Sequence, residues 1–276
     1  MSPATPPTIP PPAPRSSTAL HTETTGRGPR LVLAHGFTQT GRVWGSMDDD
    51  LARDHEVVRV DLPGHGASSA VAAGLADGAL LLGEAGGQAT YVGYSMGARF
   101  CLHLALARPA PVVGLVLISA TAGIDLPAER LARRRTDEAM AEQLDPTGGP
   151  ASTATPVETF IRRWLEGPLF AGISPEASGL GQRLANTGPG LASSLRLAGT
   201  GTQPALWGRL GELTMPVLII TGGSDEKFTA LGGRMAAAIG PNATHAVVAG
   251  TNHAPHLQRP REVAALVRGQ TRPVAR

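Results

Sequence analysis

The chain has 276 residues, a formal net charge of +2, 17% charged and 4% aromatic residues; that length builds one large α/β domain with an insertion, and no basic stripe interleaved with aromatics marks a nucleic-acid binder. No stretch approaches the roughly 20 apolar residues of a membrane span, the N-terminus lacks the apolar core of a signal peptide, and the single cysteine, Cys101, excludes an intramolecular disulfide framework. The expectation is a cytoplasmic enzyme, monomeric or a small homo-oligomer, with no membrane or nucleic-acid partner.

Met1–Pro14 holds seven prolines and almost nothing to bury, so residues 1–17 read as a disordered tail. Apolar runs then follow at Leu31–Ala34, Val57–Val60, Ala89–Val92, Val112–Ile118, Pro216–Ile220 and Ala246–Ala249, most of them ending in glycine-, proline- or histidine-bearing loops. Helical patterns such as Phe100–Arg108, Leu231–Ile239 and Arg261–Arg268 lie between them. Continuous apolar strands alternating with helices predict a mostly parallel sheet covered on both faces, formed by residues 18–123 and 212–276. The rhythm breaks over 124–211, where helix-like segments at Pro127–Leu144, Pro156–Leu165 and Pro175–Asn186 read as a helical cap. Arg133, Arg134, Arg135, Arg162, Arg163 and Arg183 make that cap basic.

Gly93-Tyr94-Ser95-Met96-Gly97 joins the third apolar run to the helix-like stretch Met96–Arg108. A serine on such a strand-to-helix turn is held in a strained, exposed conformation that only glycine-sized neighbours allow. The Met96 N–H, at a helix start, is one candidate oxyanion donor. Ligands of parallel sheets bind beyond the carboxyl ends of the strands, and His35-Gly36-Phe37, Ser95, Asp225 and His253 all emerge at that edge. Ser95 needs a base and that base an orienting carboxylate, roles that fall to His253 and Asp225. Phe37 N–H is the second oxyanion donor, with His35 shaping its loop. His65 reads as a structural turn residue, Cys101 as a buried small hydrophobe, and His256, without nearby cysteine or paired acids, not as a metal ligand.

The serine elbow and the chain order Ser, Asp, His resemble the α/β-hydrolase superfamily from Leu31 to Val267. Ser95 stands where haloalkane dehalogenases and soluble epoxide hydrolases carry aspartate. More specific stretches resemble the 2-succinyl-6-hydroxy-2,4-cyclohexadiene-1-carboxylate synthase family: Arg133-Arg134-Arg135-Thr136-Asp137, Trp164 with Pro168-Leu169-Phe170, Arg183 ahead of Asn186, Gly199–Gln203 with Trp207, and Asp225-Glu226-Lys227-Phe228. The resemblance implies an α/β-hydrolase fold with a cap, no cofactor or metal, and elimination of pyruvate from an enolpyruvyl cyclohexene carboxylate. It also implies a substrate site of Tyr94, Arg99, Arg133, Arg135, Trp164, Arg183, Lys227 and Phe228, with Arg133 and Arg135 fitting the family spacing better than Arg134. The residues give this a physical basis, since Arg99, one helical turn past Ser95, has the planar fork that binds a carboxylate. A carboxylesterase or C–C bond hydrolase using the same triad remains open, as does a ligand-binding receptor, against which the intact triad argues.

Overall fold

The computed structural model describes residues 19–146 and 155–271; the proline-rich tail lies outside them. In chain order the elements are β1 (Thr22–Gly26), β2 (Arg30–Ala34), α1 (Met47–Leu51), β3 (Glu56–Val60), α2 (Leu75–Gly86), β4 (Ala89–Tyr94), α3 (Met96–Ala107) and β5 (Val112–Ile118). Then come α4 (Pro127–Leu144), α5 (Val157–Leu165), α6 (Leu180–Arg183), α7 (Gly188–Ala198), β6 (Val217–Gly222), α8 (Glu226–Ile239), β7 (Ala243–Val248), α9 (Pro255–Gln258) and α10 (Pro260–Thr271). The strands form one sheet in the order β1-β3-β2-β4-β5-β6-β7, parallel throughout except for β1, which runs antiparallel to β3. Among the described residues no helix is long and apolar enough to cross a membrane.

Each of the six apolar runs falls on a strand, with only Pro216 and Ala249 lying one residue outside, and their near-continuous hydrophobicity has a direct cause. Side chains alternate between the two faces of a strand, and here both faces are covered. Val32, Ala34, Val58, Tyr91, Leu115, Leu117, Val217 and Ile219 pack towards α2, α3 and α8. Leu31, Leu33, Val57, Val92, Val116, Ile118, Leu218 and Ile220 pack on the other face, towards α1 and α10. Cys101 is buried in the first of these layers.

Four elements differ from the sequence reading. β1 carries the polar sequence Thr-Glu-Thr-Thr-Gly and is mostly exposed, because an edge strand needs only one pairing partner and has no inner face to fill. β7 starts at Ala243 rather than Ala246, drawn in by its register with Val217–Gly222. Within 124–211, the stretch Pro175–Asn186 is helical only over α6, which a left-handed Gly179 (φ 67°) precedes. The Gly-Pro-Gly that opens α7 conceals a full helix: Thr187 accepts from the Gly190 N–H at its start, and proline is tolerated in the first turn because that N–H has no helical partner. Ala141, Leu144, Phe160, Ile161, Leu191, Ala192 and Leu195 give α4, α5 and α7 a small core of their own.

Candidate active site

Ser95 sits between β4 and α3 at φ 50°, a left-handed conformation costly for any residue with a Cβ. The glycines around it are required by close approach: a Cβ on Gly93 would lie 2.5 Å from the Ala98 backbone, and one on Gly97 only 1.9 Å from the Ala34 carbonyl oxygen. Ser95 N–H donates to Ile118 O at 2.9 Å, which seats the turn on the neighbouring strand.

The Asp225 carboxylate is fixed by both oxygens. Oδ1 caps α8 by accepting from Phe228 N–H (3.2 Å), and Oδ2 accepts from His253 Nδ1 at 2.8 Å. That bond puts the imidazole proton on Nδ1 and leaves Nε2 as the acceptor facing Ser95 Oγ, 3.2 Å away. His253 and Asp225 are both almost fully buried. The Phe228 ring packs edge-on against His253 at 4.3 Å and Tyr94 lies at 5.6 Å, so the imidazole is walled by aromatics. The three residues named from sequence as nucleophile, acid and base therefore form one hydrogen-bonded chain.

The loop after β2 shows how a buried histidine can act without titrating. Leu62 N–H donates to His35 Nε2 (3.0 Å), so the proton is on Nδ1, which donates to Gly36 O at 2.8 Å. Gln39 N–H reaches the same carbonyl at 3.1 Å. The peptide is trans, so Phe37 N–H points opposite to that anchored carbonyl. Among the described residues neither Phe37 N–H nor Met96 N–H has a protein acceptor, and both residues line the same cavity as Ser95. Burial pushes His35 down to about 4 and His65, which donates to Pro63 O, down to about 3. Both are neutral near pH 7 and serve the loops they sit in, as read from the sequence. Among the described residues His256 has no hydrogen-bond partner for either ring nitrogen, and its ring packs at a tilt between Tyr94 and Trp44.

Above Ser95 opens a cavity of about 500 Å³, roofed by cap residues. Tyr94, Arg99, Arg133, Trp164, Lys227 and Phe228 line it, together with Phe37, Met96 and His253. Arg99 is buried, donates to Ala198 O at 2.8 Å and forms no direct ion pair among the described residues; burial, helped by the Arg133 charge and opposed by that of Asp137, pulls it down to about 10, which leaves it charged. Arg133 Nε donates to the fully buried Asp137, whose other oxygen accepts from Gly201 N–H. Two of the arginines named from sequence are placed otherwise. Arg135 is exposed on the outer face of α4, since it lies two residues beyond Arg133 and so about 200° around the helix. Arg183 is fully buried but is not among the cavity-lining residues; it is bound into the cap and to Thr38.

The sequence reading missed other walls of the cavity. Ser119, Thr121, Asp125, Glu129, Ser194 and Arg234 also line it. Asp125 pairs with Arg234 at 2.5 Å, and the Arg234 guanidinium lies 3.6 Å from the Trp207 ring centre, joining the cap entrance to α8. Ser119, at φ 49° just after β5, was findable: Val112–Ile118 also ends on the edge where ligands bind.

A parallel sheet whose elbow serine faces a histidine and an aspartate beneath a helical insertion defines an α/β-hydrolase-fold protein, and the chain belongs to the alpha/beta hydrolase family, which it matches over residues 31–266. Within it, the chain is 32% identical to a Bacillus subtilis (strain 168) protein that carries the name 2-succinyl-6-hydroxy-2,4-cyclohexadiene-1-carboxylate synthase provisionally, over 86% of this chain and 88% of that one. It is 29% identical to the synthase of that name from Enterobacter sp. (strain 638), over 86% and 89%. The solved structure of MenH from S. aureus superposes with a TM-score of 0.81 at 31% identity, covering 90% of this chain and 97% of that one.

Proposed function

We propose that this protein is a lyase that eliminates pyruvate from 2-succinyl-5-enolpyruvyl-6-hydroxy-3-cyclohexene-1-carboxylate, with Ser95, His253 and Asp225 acting as its base. The similarity to synthases along most of the chain supports this reading. The observation that carries it within the site is Arg99, a buried cation in the cavity wall that forms no direct ion pair among the described residues, its nearest acidic influence, Asp137, being bonded to Arg133. An unpaired buried guanidinium is costly, and a carboxylate substrate supplies the missing charge. Arg133 and Lys227 add two further cations to the same walls, and residues 124–211 serve as the cap that carries part of them.

In this reading Ser95 Oγ removes the proton at C2, beside the succinyl ketone, as His253 takes the hydroxyl proton. Negative charge develops on the ketone oxygen, where the Phe37 and Met96 N–H groups stabilise it. The electron pair moves through C2=C3 and C4=C5, and the C5–O bond breaks to release enolpyruvate, which is protonated to pyruvate. The ring is left as a 2,4-diene. No acyl-enzyme forms. Asp225 holds the tautomer and stabilises the imidazolium.

A carboxylesterase or C–C bond hydrolase is the second reading, favoured by the apolar part of the cavity at Trp164, Phe170, Leu195 and Leu231. One experiment separates the two: pyruvate release from the enolpyruvyl compound and hydrolysis of a neutral aryl ester, each measured for wild type and Arg99→Ala. A lyase loses about 2–5 kcal/mol of transition-state stabilisation on the carboxylate substrate when its anionic anchor is removed, and changes little on the ester. Fast ester turnover without pyruvate release, with Arg99→Ala nearly silent, would overturn the proposal.

A further inference from the structure

Thr38 directly follows the oxyanion donor Phe37. It is fully buried and has φ 64°, a left-handed conformation that disfavours a β-branched residue. Such a residue stays there only if its surroundings hold it. Among the described residues, every hydrogen bond to Thr38 comes from the distant cap segment 183–186. Arg183 Nη1 donates to Thr38 Oγ1, and Asn186 Nδ2 donates to Thr38 O at 2.9 Å.

Asn186 uses its whole amide this way. Besides Thr38 O, Nδ2 faces Gln39 O (3.4 Å) and Arg183 O (2.8 Å), while Oδ1 accepts from Gly66 N–H at 3.0 Å. One buried side chain thus ties the loop after β2, the turn after β3 and the end of α6. Arg183 stands behind it: Nε donates to Ser178 O at 2.8 Å, and burial pulls the group down to about 10, with no acidic partner among the described residues. Gly36 is anchored from the core side by Gln39 and His35, yet the residue on the far side of Phe37 is not.

We propose that Asn186, backed by Arg183, is a positioning residue for the oxyanion hole: by holding Thr38 in its left-handed conformation it aims the Phe37 N–H, so the cap completes the hole that the core begins. This rests on the reading above in which Phe37 N–H stabilises the developing oxyanion. Arg183 accordingly acts through Thr38 rather than on the substrate.

The test compares wild type with Asn186→Ala and Asn186→Asp; the aspartate retains the acceptor for Gly66 N–H and loses the donor to Thr38 O. Three readouts are taken: pyruvate release, neutral aryl ester hydrolysis, and the rate at which a fluorophosphonate labels Ser95, whose adduct also places an oxygen in the hole. The kcat of both reactions should fall about 10- to 100-fold, the scale of a misplaced oxyanion donor. KM for the carboxylate substrate should stay within about twofold of wild type, and labelling should slow in step. Unchanged kcat and labelling in folded variants, or a loss confined to KM of the carboxylate substrate, would overturn the proposal. Should Asn186→Ala fail to fold, Asn186→Asp and the labelling rate decide, because labelling reads only assembled sites. If wild type releases no pyruvate, the lyase reading fails while ester turnover and labelling still test the positioning.

Discussion

Asp225 shows how a single side chain can serve fold and chemistry with separate atoms, one oxygen closing the first turn of α8 and the other holding His253. Asparagine caps a helix as well as aspartate, so Asp225→Asn should keep its melting temperature within a few degrees while kcat falls by about 10³- to 10⁴-fold, because the amide no longer fixes the tautomer that leaves Nε2 free. Thermal melting and steady-state kinetics on the same sample check both halves. Ser95→Ala should likewise fold and lose at least about 10³-fold in kcat; wild-type turnover in that variant would remove Ser95 from the mechanism. His256 differs despite lying three residues from His253, since among the described residues its ring nitrogens have no hydrogen-bond partner and the ring packs against Tyr94 and Trp44.

At the level of elements, the elbow is the tightest point. α3 approaches β2 so closely that a methyl group on Gly97 would overlap the Ala34 carbonyl at 1.9 Å, and that contact is backbone, which cannot swing aside. Gly97→Ala should destabilise by on the order of 3 kcal/mol, visible as a shift in the urea midpoint. Gly181→Ala, where nothing lies within 4 Å of the added carbon, should leave that midpoint nearly unchanged. The helices α4, α5 and α7 of the insertion share a small core of their own. The insertion reaches the loop after β2 through Arg183 and Asn186, and α8 through the Asp125–Arg234 pair.

Over the whole molecule, three fully buried histidines, His35, His65 and His256, are held neutral by burial, at about 4, 3 and 3 against an ordinary value of 6.5. Unfolding lets each bind a proton at any pH between its folded value and 6.5, so the unfolded state carries more protons there and stability falls as pH drops. Above about 6.5 these groups contribute no slope. Each can remove up to about 1.4 kcal/mol per pH unit inside its window. Urea unfolding at pH 7 and pH 5 should therefore show a lower midpoint at pH 5. His256→Phe, which keeps the ring and removes two unpartnered nitrogens, should flatten that dependence; an unaltered pH 7 to pH 5 difference in the variant would exclude His256 as a contributor.

The strand runs, the elbow with its glycines and the order Ser95, Asp225, His253 were legible in the sequence because each follows from a local rule: periodicity, steric room beside a strained turn, and the needs of a nucleophile. The same rules failed where partners are distant. Polar β1 becomes a strand only through β3, and α7 was hidden by glycines whose helical conformation depends on a Thr187 cap and on packing against α4. Arg99, Arg133, Arg135 and Arg183 are chemically alike in the sequence. Only the tertiary structure places two in the cavity wall, one on the outer face of α4 and one against Thr38, because the direction of a side chain is set by the packing of its whole helix and not by the residue itself.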